Sequence, residues 1–182
     1  MQDTPEVAVL RLGHRPGRDE RITTHVGLTA RALGADRVVL AGDGASRADT
    51  VQDITDRFGG PFTVETVESW RPVLSAFEGA VVHLTMYGLE VQDVEAEIRE
   101  RHRDRRDPLL VVVGAEKVPF EVYEAADWNL AVTNQPHSEI ASLAVFLDRL
   151  FEGRELDREW EDAEKVVVPQ ATGKQVEDTD ET

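Results

Sequence analysis

Short apolar runs alternate along this chain with stretches of helical spacing, and the alternation predicts its elements. Residues 7–12 form an apolar run, and 23–33 carry a helix pattern. Residues 37–41 are the next strand, ending in the turn Gly42-Asp43-Gly44. Ser46 and Asp49 have the spacing of a capping box, which predicts a helix running towards Phe58. Residues 62–67 alternate, 70–77 read as a short helix, and 80–85 read as a buried strand. Residues 91–103 have helical spacing with a charged outer face. The last core strands are 109–113 and 129–132, with a short helix (119–125) between them, and 138–151 form an apolar final helix. Near-continuous apolar strands alternating with helices predict an α/β fold, a parallel sheet flanked by helices on both faces.

After Gly153 the texture changes. Residues 154–164 are charged and helix-prone, and 166–169 with 173–176 suit a small strand–turn–strand unit. The expected organisation is therefore a domain over 1–153, a helix and hairpin extension over 154–176, and an acidic, disordered tail over 177–182.

Composition narrows the function classes. A chain of 182 residues suits one domain with a sizeable core. The absence of cysteine excludes disulfides and thiolate metal sites. No apolar run approaches the ~20 residues that cross a bilayer, and the polar amino terminus has no signal-peptide core, so a cytoplasmic protein without a membrane partner is expected. Acidic residues number 36 against 20 basic ones, a net charge of −16, and the only lysines are Lys117, Lys165 and Lys174. That balance reads as adaptation to a high-salt cytoplasm. At 1 M salt the Debye length is about 3 Å, so local clusters matter more than the global charge.

Two apolar strands stop at loops of small polar residues, 114–119 and 132–139. Ligands of parallel sheets sit beyond the carboxyl ends of the strands, so one ligand cradled by backbone groups is expected there. Gly114-Ala115-Glu116-Lys117 lacks the spacing of a Walker or dinucleotide loop. His137, Ser138 and Glu139 suggest a hydrolase, but Ser138 is placed to cap the last helix with Glu139 in its first turn. The five histidines lack a close carboxylate pattern, so no metal is expected, and His83 falls within a buried strand pattern. Arg11, His14, Arg15, Arg18, Arg21, His25 and Arg31 form a basic cluster whose only interleaved acids are Asp19 and Glu20. Much of it follows the first strand, at the same sheet edge, and arginine suits bidentate contact with phosphate, which points to RNA or a nucleotide. The mixed run 99–106 reads instead as a solvated helix end.

Five segments in order, Leu-Arg-Leu-Gly-His-Arg-Pro (10–16), Thr-Thr-His-Val-Gly-Leu-Thr-Ala-Arg-Ala-Leu-Gly-Ala (23–35), His-Leu-Thr-Met-Tyr-Gly (83–88), Val-Val-Gly-Ala-Glu-Lys-Val-Pro (112–119) and Asn-Gln-Pro-His-Ser-Glu (134–139), resemble the archaeal tRNA (cytidine(56)-2′-O)-methyltransferases. These are members of the SPOUT class of knotted methyltransferases. The resemblance covers about residues 7–153 and implies a deep carboxyl-terminal trefoil knot, an exception to ordinary chain topology. It implies tRNA as substrate and S-adenosylmethionine bound in the knot by Leu84, by Gly114, Ala115, Glu116, Lys117 and Val118, and by Val132, Thr133, Asn134, Gln135, Pro136, His137, Ser138 and Glu139. It also implies a homodimer in which the amino-terminal basic residues Arg11, His14, Arg15, Arg18, Arg21 and His25 of one subunit face the other's cofactor and bind RNA.

The wider class places an arginine six residues after an asparagine in the first helix. His25 and Arg31 keep that spacing, with His in place of Asn. Arg31 is therefore the expected catalytic residue, with Arg15 and Arg21 in reserve. A guanidinium with a pKa above about 12 is an awkward base, so Arg31 is expected to grip the substrate phosphate and hydroxyl. Ser138-Glu139-Ile140 departs from the Ser-Leu-Asn of the wider class. Open alternatives are methylation of another RNA site, a non-catalytic RNA-binding protein that retains the cofactor pocket, and a regulator that binds ATP or NAD.

Overall fold

The structure is a computed structural model that describes residues 4–13, 19–42, 47–114 and 117–179. Its main sheet contains β1 (Val7–Leu12), β2 (Arg37–Ala41), β3 (Thr63–Val67), β4 (Ala80–Glu90), β5 (Leu109–Gly114) and β6 (Trp128–Ala131). They run parallel in the order β3-β2-β1-β5-β4-β6. The connecting helices are α1 (Glu20–Ala32), α2 (Ala48–Phe58), α3 (Trp70–Ala76), α4 (Val91–Arg99), α5 (Phe120–Ala125) and α6 (Glu139–Phe151).

Alternate strand positions point to opposite faces of the sheet, and each face collects its own helices. Val7 and Val9 of β1 share a core with Val26 of α1, Val51 of α2, Ile98 of α4 and Phe146 of α6. Ala8, Leu10 and Leu12 share the other with Leu74 of α3 and Val122 of α5. Both faces are thus covered, which is why the strands read as unbroken apolar runs.

Several elements depart from their expected bounds for identifiable reasons. β4 continues to Glu90 because it pairs with β6 twice: Leu84 and Leu89 both face Leu130, and the residues between them bulge outward. The pattern at 91–103 splits into α4 and a π-helical turn, Glu100–Asp104, which carries His102 into the interior. Arginines of that run are paired at the surface, Arg101 with Asp107 and Asp127, Arg103 with Glu152, and Arg105 with Glu100. α2 begins at Ala48 after Arg47, which makes no side-chain cap, and Ser46 lies outside the described residues.

The carboxyl-terminal extension is less helical than its composition suggests. It has one 3-10 turn (Arg154–Asp157), an irregular stretch, and an antiparallel hairpin of β7 (Lys165–Val168) and β8 (Gln175–Asp178). Glu177 and Asp178, expected in a disordered tail, belong to the second strand. The irregular stretch is held by a pair of glycines. A Cβ at Gly59 (φ +75°) would lie 2.3 Å from the carbonyl oxygen of Glu161, and the Gly60 amide donates to that oxygen at 2.8 Å.

Arg31 completes this attachment. It lies in the last turn of α1, buried, with Nη2 donating to the Gly59 carbonyl at 2.6 Å. Its guanidinium carbon sits 4.2 Å from the centroid of Trp160, a cation–π contact. Burial and the nearby Arg158 lower its pKa from the ordinary value. Arg31→Met is expected to lower stability by about 1–3 kcal/mol, the cost of leaving a buried partner unsatisfied. Arg31→Lys should lose less, as measured by chemical denaturation.

Candidate functional site

β1 and β5 are neighbours in the sheet, yet α1 and α5 leave them on opposite faces. Divergence of this kind opens a crevice at the carboxyl ends of the two strands. Leu12 is in register with Gly114 at that edge, and the β4 bulge and the loop after β6 continue the wall alongside.

The wall is assembled by close backbone approach. A Cβ on Gly88 would lie 2.3 Å from the Asn129 carbonyl oxygen, so only glycine lets the bulge lie this near β6. The Asn134 side-chain amide then donates to the carbonyls of Met86 (2.7 Å) and Gly88 (3.1 Å), pinning the loop after β6 onto the bulge. On the β5 side a Cβ on Gly114 would come within 2.4 Å of the Val118 side chain, so this loop also closes tightly. Lys117 follows in left-handed conformation (φ +65°), exposed. Leu84 is buried, and Val132 and Val118 are half-buried. Thr133, Gln135 and Pro136 are exposed along the rim.

A polar network supports the wall from the α5 side. Asn129 Nδ2 donates to the Tyr123 carbonyl at 2.9 Å, which turns Asn129 Oδ1 to accept from His83 Nδ1 at 2.8 Å. The His83 ring meets Tyr123 edge-on with centroids 4.6 Å apart, and the Tyr123 and Thr85 hydroxyls are hydrogen-bonded at 3.2 Å. His83 is buried, as its strand pattern predicts, and its Nε2 has no hydrogen-bond partner among the described residues. Sequence reasoning missed Met86, Gly88, Tyr123 and Asn129. Thr85 and Gly88 inside an apolar strand were the available signal, since glycine there marks a bulge or close backbone approach.

The first turn of α6 forms the floor. Ser138 Oγ accepts from the Ala141 amide at 3.2 Å, the cap expected from sequence, so this hydroxyl serves the helix rather than a hydrolytic triad. His137 Nδ1 donates to the Ser138 carbonyl at 3.2 Å. Glu139 accepts from Arg11 Nη2 at 3.0 Å.

The predicted basic residues separate into distinct groups. Arg11 was expected to face RNA, but it is 2% exposed and occupied by Glu139 and the Gly13 carbonyl, so it is no part of an open phosphate-binding surface. Arg21 and His25 are exposed on successive turns of α1. Arg31 lies ten positions beyond Arg21, about 15 Å along the helix axis, at the opposite sheet edge. That placement lends no support to the expectation that it grips substrate: Nη2 donates to the Gly59 carbonyl and the guanidinium face lies over Trp160. His14, Arg15, Arg18, Ala115 and Glu116 lie outside the described residues. A groove beside His25 is lined by Leu28, Thr29 and Ala32 of α1, by Leu33 just after it, and by Ala144 of α6.

Among the described residues no group of histidines and carboxylates is arranged to hold a metal ion, and no helix is long and apolar enough to cross a membrane. Residues 58–177 match a family described as tRNA ribose 2′-O-methyltransferase, aTrm56. The chain is 72% identical to the tRNA (cytidine(56)-2′-O)-methyltransferase of Haloarcula marismortui, over 100% of this chain and 99% of that one. It is 66% identical to the protein of that name from Natronomonas pharaonis, at the same coverage. Among solved structures, the SpoU methyltransferase AviRb of Streptomyces viridochromogenes, in complex with AdoMet, superimposes with a TM-score of 0.55 at 16% identity. That match covers 83% of this chain and 58% of the other, and carries the fold alone.

Burial lowers the pKa of both His83 and His102 from the ordinary 6.5. The folded protein keeps these rings neutral where the unfolded chain takes up protons, so their contribution is full above pH ~6.5 and falls as pH drops towards the folded pKa values. Thermal melting followed downward from about pH 7 should show this loss, with a shallower slope in His83→Gln.

Proposed function

The chain belongs to the tRNA (cytidine(56)-2′-O)-methyltransferase family, and on that premise we propose that it methylates the ribose 2′-oxygen of cytidine 56 in tRNA. The observation that carries this reading is the match, at 72% and 66% identity over the whole chain, to relatives of that name. S-adenosylmethionine is the proposed methyl donor, held at the edge formed by Leu84, 114–118 and 132–139. The site suits such a group: the glycines at 88 and 114 let neighbouring segments pack tightly into an edge built largely of backbone, with Leu84, Val118 and Val132 behind a polar rim of Thr133, Asn134 and Gln135. The clip from Asn134 to Met86 and Gly88 ties the loop after β6 to the β4 bulge, the region where the proposed knot would close.

Bound there, the donor supplies a sulfonium methyl that is a good leaving group towards oxygen. The protein must present a ribose hydroxyl in line and help its proton leave. Arg21, at the start of α1 beside this edge, takes the role of gripping the target phosphate, with His14, Arg15, Arg18 and His25 completing the RNA surface. The α1–α6 groove and the exposed Val145 form the face on which a second copy docks, giving a homodimer in which each basic segment approaches the partner's crevice. Such an enzyme works where tRNA is matured, in the cytoplasm.

Methyl transfer from labelled S-adenosylmethionine to an unmodified archaeal tRNA transcript in molar KCl, with mass mapping, tests the reading. The expected product is a single 2′-O-methylcytidine in the T-loop. Label at another nucleotide would move the substrate, and no transfer by a cofactor-binding dimer would turn the reading to RNA binding alone. Arg21→Ala should cut kcat/KM about tenfold to a hundredfold, the loss of one charge-assisted contact. Arg31→Lys should leave turnover intact while lowering the melting temperature.

A further inference from the structure

An arginine stands near the carboxyl end of the central strand β1, where the strand pattern calls for an apolar side chain. Arg11 is on the same face of β1 as Val7 and Val9, whose side chains pack beneath α1 and α6, and it is among the largest fully buried side chains of the protein. Its pair with Glu139 is almost dry, with side-chain exposures of 1% and 11%. A buried ion pair is weak evidence for a stabilising role, because desolvating both charges offsets their attraction, and apolar replacements of both partners are often equally stable. Glu139 does not require a cation to be tolerated either, since a carboxylate in the first turn of α6 already faces the positive end of the helix dipole.

The two acceptors show what the arginine does. Nη2 holds Glu139, at the end of the 132–139 loop, while Nη1 holds the carbonyl of Gly13, where β1 hands over to the basic segment. Gly13 turns there in left-handed conformation (φ +68°). The two amino groups belong to one planar fork, so the spacing of these acceptors is set by a rigid group.

We infer that Arg11 is a positioning residue, locking the loop that holds the methyl donor to the origin of the segment that holds the RNA. The inference rests on the function proposed above, in which these two segments carry the two substrates. In-line transfer tolerates little error in the separation of its reacting atoms, and a misplacement of about 1 Å costs roughly a hundredfold in rate. A fork spanning both segments controls that separation without touching either substrate.

The experiment uses the full-length protein in molar KCl, with methyl transfer to tRNA measured at saturating cofactor and RNA, alongside cofactor affinity and thermal unfolding. Arg11→Lys keeps the charge but replaces the planar fork with a single ammonium. It should keep its melting temperature and cofactor affinity near wild type while kcat falls about a hundredfold. The double variant Arg11→Met/Glu139→Leu removes the ion pair as a unit and should be as stable as wild type or more so, yet be equally slow. Wild-type kcat in that double variant would overturn the inference. So would an Arg11→Lys enzyme whose only defects are a lower melting temperature and weaker cofactor binding. An inactive wild-type enzyme would remove the proposed function itself, and this inference with it, whereas an active wild type beside unimpaired variants would remove the inference alone.

Discussion

Two backbones meet at Gly88 with no room between them for a methyl group, and the carboxyl edge of the sheet is built around that contact. The β4 bulge leaves backbone carbonyls without strand partners. Here the bulge lies so near β6 that Asn134, from the loop just beyond, donates to them. Beneath the same contact, Asn129 is fixed by the Tyr123 carbonyl and in turn fixes His83. One close approach therefore sets the relative position of the β4 bulge, the loop after β6 and α5. A crevice walled by backbone held in this way needs few charged side chains to recognise a nucleoside-bearing ligand.

Charge has two separate roles in this molecule. Most of its ion pairs are at the surface, like Arg71 with Glu121, where the median pair contributes between about 0 and 1 kcal/mol and salt screens it further. With a net charge of −16, their value at molar salt is solubility and hydration more than cohesion. The two arginines buried among the described residues act differently. Arg31 attaches the carboxyl-terminal extension at the amino edge of the sheet, through a carbonyl and an indole. Arg11, at the carboxyl edge, bridges the Gly13 carbonyl and Glu139. Both interactions are sheltered from bulk ions and so persist where surface pairs fade.

An acidic protein that acts on a polyanion must also overcome its own field. Phosphate contacts weaken steeply as salt rises, because counterions released on binding gain less entropy in a more concentrated bulk. Such an enzyme depends more on shape and on directional arginine contacts than on long-range attraction. The clustering of Arg15, Arg18 and Arg21, against so few lysines elsewhere, is consistent with that demand.

The amino-acid sequence by itself determined the strands, their order of alternation with helices and the family. Each of these is written in local periodicity or in contiguous segments, such as 83–88 and 134–139. β1 and β2 fall on the predicted residues, and Ser138 caps α6 as its position requires. The jobs of individual arginines were not legible. Arg11 looks like part of an exposed basic cluster, and Arg31 has the spacing of a catalytic residue, yet spacing along a helix says nothing about which end of the sheet that helix turn reaches. Burial and partners depend on residues far away in the chain: Glu139 for Arg11, Gly59 and Trp160 for Arg31. The bulge of β4 was hidden for the same reason, because it exists only where β6 returns to pair on both sides of it. Only the tertiary structure brings those distant segments together, and their contacts decide which charge holds the fold and which is left to meet a substrate.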